Sequence, residues 1–267
     1  MSKKPVGHKA RKRFGQNFLH DQGVIGRIIR SISPKPGQHL VEIGPGLGAL
    51  TEELLDACNG ELDVVELDRD LIPVLRTQFF RYADTFTIHE ADALKFDFAG
   101  LKQDERPLRV VGNLPYNIST QLIFHLLSHS GDIVDMHFML QKEVVDRLAA
   151  KAGENNYGRL GIMAQYYCQV EPLFIVPPEA FNPVPKVESA IVRLTPYQEL
   201  PFVAKDPAVL KQIVKTAFAH RRKTLRNNLK ELISTEQLEL LNIDPSLRPE
   251  RLSVQDFISI ADFLTPL

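Results

Sequence analysis

The sequence predicts an α/β protein: a doubly wound, mostly parallel sheet followed by a small all-helical C-terminal domain. Three observations predict it. From residue 39, short apolar runs alternate with amphipathic segments. A glycine-rich turn, Gly44-Pro45-Gly46-Leu47-Gly48, follows the first of those runs. Beyond Thr195-Pro196-Tyr197 the strand-like runs stop, and from Pro207 onward everything reads as short helices.

Strands are expected at 39–43, 62–66, 85–89, 108–112 and 134–140, with helices near 48–58, 69–80 and 118–129 between them. Two further β-rich segments, 168–176 and 187–194, extend the sheet at its far edge. Residues 21–32 form an amphipathic helix ahead of it, with Asp21 as N-cap. C-terminal helices are expected at 207–219, 221–233, 235–241 and 254–264. Ser234-x-x-Gln237 reads as a capping box and Ser253-x-x-Asp256 as a looser one. The domain division expected is 1–200, carrying a basic N-terminal arm, and 201–267.

A chain of 267 residues, 44% of them hydrophobic, can bury one sizeable α/β core plus an appendage. No apolar run approaches the roughly 18 residues of a membrane span, and the basic N-terminus lacks the apolar core of a secretory signal. Two cysteines, Cys58 and Cys168, lie far apart, which argues against a disulfide framework and for the cytoplasm. The histidines show no ligand spacing, so no metal is expected.

Net charge is −1, but it is segregated. Lys3, Lys4, Lys9, Arg11, Lys12 and Arg13 occur with no acid among residues 1–20. Lys215, Arg221, Arg222, Lys223, Arg226 and Lys230 form a second acid-free block, whereas Glu42 to Glu105 holds fifteen acids and five bases. Each block alone suits a solvated tail or helix face. Together they suit the phosphates of a nucleic acid, with Lys12, Arg13, Arg221, Arg222 and Lys223 as candidate contacts.

The turn after the first strand is where doubly wound sheets bind nucleotides. Gly44, Gly46 and Ala49 also satisfy the dinucleotide fingerprint, so the turn by itself leaves two ligand classes open. Glu66 closes the second strand, placed to accept from ribose hydroxyls in either class. Two acids favour a cationic methyl donor. Glu42, just before the loop, would oppose a pyrophosphate, and Asp92, after the third strand, offers an acceptor for an adenine amino group, although a loop aspartate also serves as a simple cap.

Gly112-Asn113-Leu114-Pro115-Tyr116-Asn117 decides the chemistry. The lone pair of an aromatic amine is delocalised into its ring, so the nitrogen is a poor nucleophile. A side-chain amide oxygen and a backbone carbonyl that accept its two N–H hydrogens turn the lone pair out of plane, towards an incoming methyl. Asn113 supplies the amide and Leu114 the carbonyl. Pro115 fixes the turn, keeping the acceptors oriented in advance. Tyr116 can stack on the unstacked base, an interaction worth about 1–3 kcal/mol. The plain alternative is a turn that ends a strand.

Five segments in order carry a resemblance: Lys12-Arg13-Phe14-Gly15-Gln16-Asn17-Phe18-Leu19, the Glu42–Leu50 loop, Asn113–Tyr116, Phe181-Asn182-Pro183-Val184-Pro185-Lys186-Val187-Glu188-Ser189, and Ala217-Phe218-x-x-Arg221-Arg222-Lys223-x-Leu225. Nearly end to end, the chain resembles the small-subunit ribosomal RNA adenine dimethyltransferase family. The resemblance implies a Rossmann-like class I S-adenosylmethionine methyltransferase domain with a small all-helical C-terminal domain. It implies dimethylation of two adjacent adenines in a hairpin loop near the 3′ end of that RNA, on an immature small subunit; the sequence itself shows no coiled coil or broad apolar face, so a monomer is expected. It places Asn17, Leu19, Gly44, Glu66, Asp92 and Asn113 at the donor, where Gly46 of the glycine turn is also expected, and lets Tyr116 and Phe181 sandwich the adenine. From the residues alone, a lone loop phenylalanine favours packing.

Other functions fit parts of the pattern. A large-subunit adenine methylase differs in its helical domain, and a DNA amino-methylase carries a different aromatic after the motif. A nicotinamide oxidoreductase leaves Asn113–Tyr116 and the basic blocks unexplained. A binding-only assembly factor needs no intact donor loop.

Overall fold

The computed structural model describes residues 17–102, 104–220 and 222–266. They divide into two compact units. The first runs to Val145 and takes in Glu171–Pro196; the second comprises Asp146–Val170 and Tyr197 onward.

In the first unit, β1 (Phe18–Leu19) precedes helix α1 (Gln22–Ile32). Asp21 caps α1 as its sequence position predicts, its Oδ1 accepting from Val24 N at 2.9 Å. Ile25, Ile28 and Ile32 recur at helical spacing and are buried. Then follow β2 (His39–Ile43), α2 (Ala49–Ala57), β3 (Leu62–Glu66), α3 (Ile72–Gln78), β4 (Phe86–Glu90), β5 (Leu108–Asn113), α4 (Ser119–Leu127) and β6 (Ile133–Gln141). After α5 (Lys142–Ala149) and α6 (Arg159–Tyr167) come β7 (Cys168–Val176), β8 (Phe181–Asn182) and β9 (Ser189–Pro196).

Seven strands form one sheet in the order β4-β3-β2-β5-β6-β9-β7. β4 through β6 pair in parallel, and β9 returns antiparallel to β6. Every residue of β2 is buried, as strands covered on both faces require. The order reverses between β2 and β5, so the loops leaving their carboxyl ends diverge and open a crevice. Gly112 lets those two strands close up beneath it: a Cβ there would sit 2.5 Å from the Ile43 oxygen.

β1 and β8 form a separate two-stranded ladder, pairing Phe18 with Asn182 and Leu19 with Phe181. It draws together two segments that lie at opposite ends of the first unit's sequence.

The second unit holds α6, α7 (Pro207–Ala217), α8 (Leu225–Asn228), α9 (Thr235–Leu240) and α10 (Val254–Leu264). Asp206 caps α7, and both Ser234/Gln237 and Ser253/Asp256 close complete capping boxes. Helix 221–233 is shorter than its pattern predicts. Asn227 Nδ2 donates to Thr224 Oγ1, and Asn228 Nδ2 donates to the carbonyls of His220 and Lys223. These side-chain bonds hold the preceding turn in place of a helical one. Two helices escape the periodic pattern, α5 and α6. α6 buries Leu160, Gly161, Ile162, Met163, Ala164 and Tyr166 and so shows no polar stripe. Among the described residues no helix is long and apolar enough to cross a membrane.

Candidate active site

The carboxyl ends of β2, β3, β4 and β5 surround a cavity of about 350 Å³. The turn from β2 to α2 forms its floor. Gly44, Gly46 and Gly48 all take positive φ (66°, 60° and 84°), a region that a side chain strains to adopt. At Gly46 an added Cβ would also meet the Phe18 ring at 3.2 Å, so the backbone itself faces the cavity.

Two acids flank this turn. Glu42 is buried and its Oε2 accepts from Thr51 Oγ1 at 2.6 Å. Burial raises its pKa to about 7; the Thr51 hydrogen bond pulls down and the charge of Glu66 pushes up. Glu66 ends β3, with Oε1 accepting from Asp68 N at 2.7 Å and Oε2 from Gly46 N at 3.4 Å. Burial raises its pKa too, against hydrogen bonds from the backbone of Asp68 and Gly46. A carboxylate has more acceptor positions than these two bonds use. Asp92 follows β4 and lines the same cavity, and its Oδ1 is committed to Leu94 N at 3.0 Å. It is thus a turn cap as well as a cavity residue.

Asn113 is the last residue of β5, paired with Met139 of β6. Its Nδ2 donates to the Asn17 carbonyl at 3.2 Å. Leu114 N donates to Met139 O at 3.2 Å, while the Leu114 side chain is buried. The Pro115 carbonyl accepts from Ile118 N and Ser119 N, closing the turn into α4. Among the described residues no hydrogen bond ends on Asn113 Oδ1 or on the Leu114 carbonyl. Two adjacent acceptors therefore stand unpaired at the cavity's edge, beside the half-buried ring of Tyr116.

The cavity brings together Asn17, Leu19, Gly44, Gly46, Glu66, Asp92, Asn113, Leu114, Pro115 and Tyr116, all singled out by sequence. Phe181 is not among them. Its ring is 1% exposed, opposite Leu19 in the β1–β8 ladder and in the same buried cluster as Ile25, Val176 and Ile191. In this structure the ring packs in the core, the placement its residue type favours, rather than lining the cavity where the expected sandwich with Tyr116 would form. Lys12, Arg13 and Arg221 lie outside the described residues. Arg222 and Lys223 belong to the second unit and are exposed, as are Lys215, Arg226 and Lys230.

Phe18, Thr51, Ser119 and Ser189 also touch the site or its residues, and the sequence pattern marks none of them. Phe18 sits inside a quoted motif between two chosen residues. Thr51 falls in the first turn of α2, one residue before Glu52. Ser189 closes the Phe181 motif, yet nothing in the order of residues places it against Tyr116. Among the described residues no three of His, Cys, Asp and Glu gather closely enough to hold a metal.

The family whose profile matches residues 7–266 is described as ribosomal RNA adenine dimethylase. The chain belongs to the ribosomal RNA adenine dimethylase family. Members are similar over nearly the whole length. A ribosomal RNA small subunit methyltransferase A of Hahella chejuensis is 67% identical, the alignment covering 97% of this chain and 94% of that one. The protein of the same name from Pseudomonas aeruginosa is 60% identical, covering 97% and 96%. Among solved structures, a dimethyladenosine transferase from Plasmodium falciparum superposes with a TM-score of 0.78 at 26% identity, covering 91% of this chain and 95% of that one. A 23S rRNA methyltransferase, ErmE, superposes at 0.69 with 24% identity over 93% and 99%, a likeness of fold. The class I methyltransferase fold and membership of a family of RNA adenine dimethylating enzymes therefore stand together on sequence and structure.

Proposed function

We propose that this enzyme transfers methyl groups from S-adenosylmethionine to N6 of two adjacent adenines, in a hairpin loop near the 3′ end of small-subunit ribosomal RNA. The relatives' names support the choice of subunit. In this reading the enzyme acts as a cytoplasmic monomer on RNA within an immature small subunit. The observation that carries the chemistry is the pair of unpaired acceptors, Asn113 Oδ1 and the Leu114 carbonyl.

The donor, when bound, supplies an electrophilic methyl on a cationic sulfur. The residues present fit it. The glycine turn leaves backbone-lined space, buried Glu42 and Glu66 stand beside it, and among the described residues no lysine or arginine of the kind that would neutralise a pyrophosphate lines the cavity. Glu66 receives ribose hydroxyls and Asp92 the adenine amino group, with Asn17, Leu19, Gly44 and Gly46 walling that side. On the other side, Asn113 and Leu114 accept the two N–H hydrogens of the target amine, drawing its lone pair out of conjugation. Pro115 holds both acceptors still, so little reorganisation accompanies the reaction. Tyr116 stacks on the flipped base. Lys12, Arg13, Arg221, Arg222 and Lys223 contact phosphates, and residues 201–267 carry RNA binding.

Incubation with labelled donor and unmethylated small subunits, followed by mass analysis of nucleosides, tests this. N6,N6-dimethyladenosine is the expected product. Label confined to DNA, to the large subunit or to an atom other than N6 would overturn it.

A further inference from the structure

Tyr116 is held at both ends. Its hydroxyl lies 2.7 Å from Ser189 Oγ, and its backbone carbonyl accepts from Ser119 Oγ at 3.3 Å. Ser189 is wholly buried at the start of β9, opposite Gln141 at the end of β6. Tyr116 lies past the end of β5, and β6 runs between β5 and β9. The hydrogen bond therefore reaches across an intervening strand. Ser119 is also buried, its N bonded to the Pro115 carbonyl at 3.1 Å. Neither serine lines the cavity, whereas Tyr116 does.

A buried hydroxyl needs a partner, and the tyrosine hydroxyl is the partner Ser189 has. A ring tethered only through its backbone still turns about two side-chain torsions. Stacking depends on ring angle and separation, so a ring fixed beforehand presents its face without further ordering when a base arrives. Burial pushes the Tyr116 phenol above its ordinary pKa, with the Ser189 bond pulling the other way. At neutral pH the group stays protonated and serves as an anchor.

We propose that Ser189 is a positioning residue: its hydrogen bond to the Tyr116 hydroxyl fixes the plane of the ring on which the target base stacks. This rests on the proposed role of Tyr116, and the experiment separates the two. Single-turnover transfer on small subunits, together with KM for donor, is compared for wild type, Tyr116→Phe, Ser189→Ala, the double variant, Ser189→Thr and Tyr116→Ala.

Tyr116→Phe and Ser189→Ala should each slow transfer by about tenfold, the scale of one lost hydrogen bond, with KM for donor unchanged. The double variant should be no slower than the worse single, because both remove one interaction. Ser189→Thr keeps a hydroxyl on a strand and should retain most of the rate. Losses that multiply in the double variant, or an undiminished rate for Tyr116→Phe, would overturn the clamp, and the second outcome holds even if Ser189→Ala folds poorly. Full transfer by Tyr116→Ala would overturn the stacking role itself, and the clamp with it.

Discussion

Asn113 donates its side-chain nitrogen to the carbonyl of Asn17 at 3.2 Å. A carbonyl only accepts, so the contact settles which arm of the amide is nitrogen. The oxygen is left as an acceptor, which is the polarity an amine substrate requires. A segment that opens the described chain thus sets the orientation of a side chain at the end of the fourth parallel strand.

Glu42 should make stability depend on pH and, on the proposed reading of the cavity, donor binding as well. Its folded pKa of about 7 lies above the ordinary 4.5. The stability it contributes is fully present below pH 4.5 and is lost as pH rises through 7, on the order of 3 kcal/mol at most. Glu42→Gln, neutral throughout, should unfold in denaturant with a flatter pH dependence over that window. Donor affinity should strengthen from pH 6 to 8 in wild type as the carboxylate ionises, and stay level in the variant. Parallel curves for the two proteins would remove Glu42 from the donor's surroundings.

Arg109 holds the sheet from below the site. It is buried, with Nε and Nη2 on the Asp135 carboxylate at 2.9 and 2.7 Å and Nη2 also on the Ile32 carbonyl at 2.6 Å. Arg109→Ala leaves the carboxylate unpaired and should cost about 3–5 kcal/mol. Replacing Arg109 and Asp135 together by apolar residues should cost much less. Urea midpoints for the two variants read the difference; equal losses would mean that packing, not charge, dominates there.

The alternation of strands and helices was legible because β2, β3, β5 and β6 announce themselves as apolar runs of strand length between caps and turns. The apolar run at 168–176 marks both ends of its strand, and the spacing around Asp21, Ser234 and Ser253 identifies each as a cap. What escaped was whatever depends on distant partners. α6 is buried all round and has no periodic stripe. Asn227 and Asn228 rewrite a helix through side-chain bonds that periodicity ignores. In the site, the placement of Asn113, Leu114 and Tyr116 at the cavity is legible because one short motif follows the end of a strand. The Asn17, Thr51 and Ser189 contacts join residues whose proximity only folding creates. Phe181 shows the same lesson in reverse: a motif position identified it, and its packing in the core determines where its ring lies.

The exposed cations at Arg222 and Lys223, with neighbouring Arg221, should act through charge alone. Neutralising the three should weaken binding to small subunits and lower the slope of log affinity against log salt by about 2 to 3. Rate at saturating subunit should hold. An unchanged salt slope would take this block out of the RNA interface.

The paired acceptors are tested most directly by Asn113→Ala in single-turnover transfer, with donor and small subunits both saturating. Transfer should slow at least about a hundredfold, as when an oriented polar partner of the transition state is removed, with subunit affinity within about twofold of wild type. Transfer at the wild-type rate would contradict their proposed role.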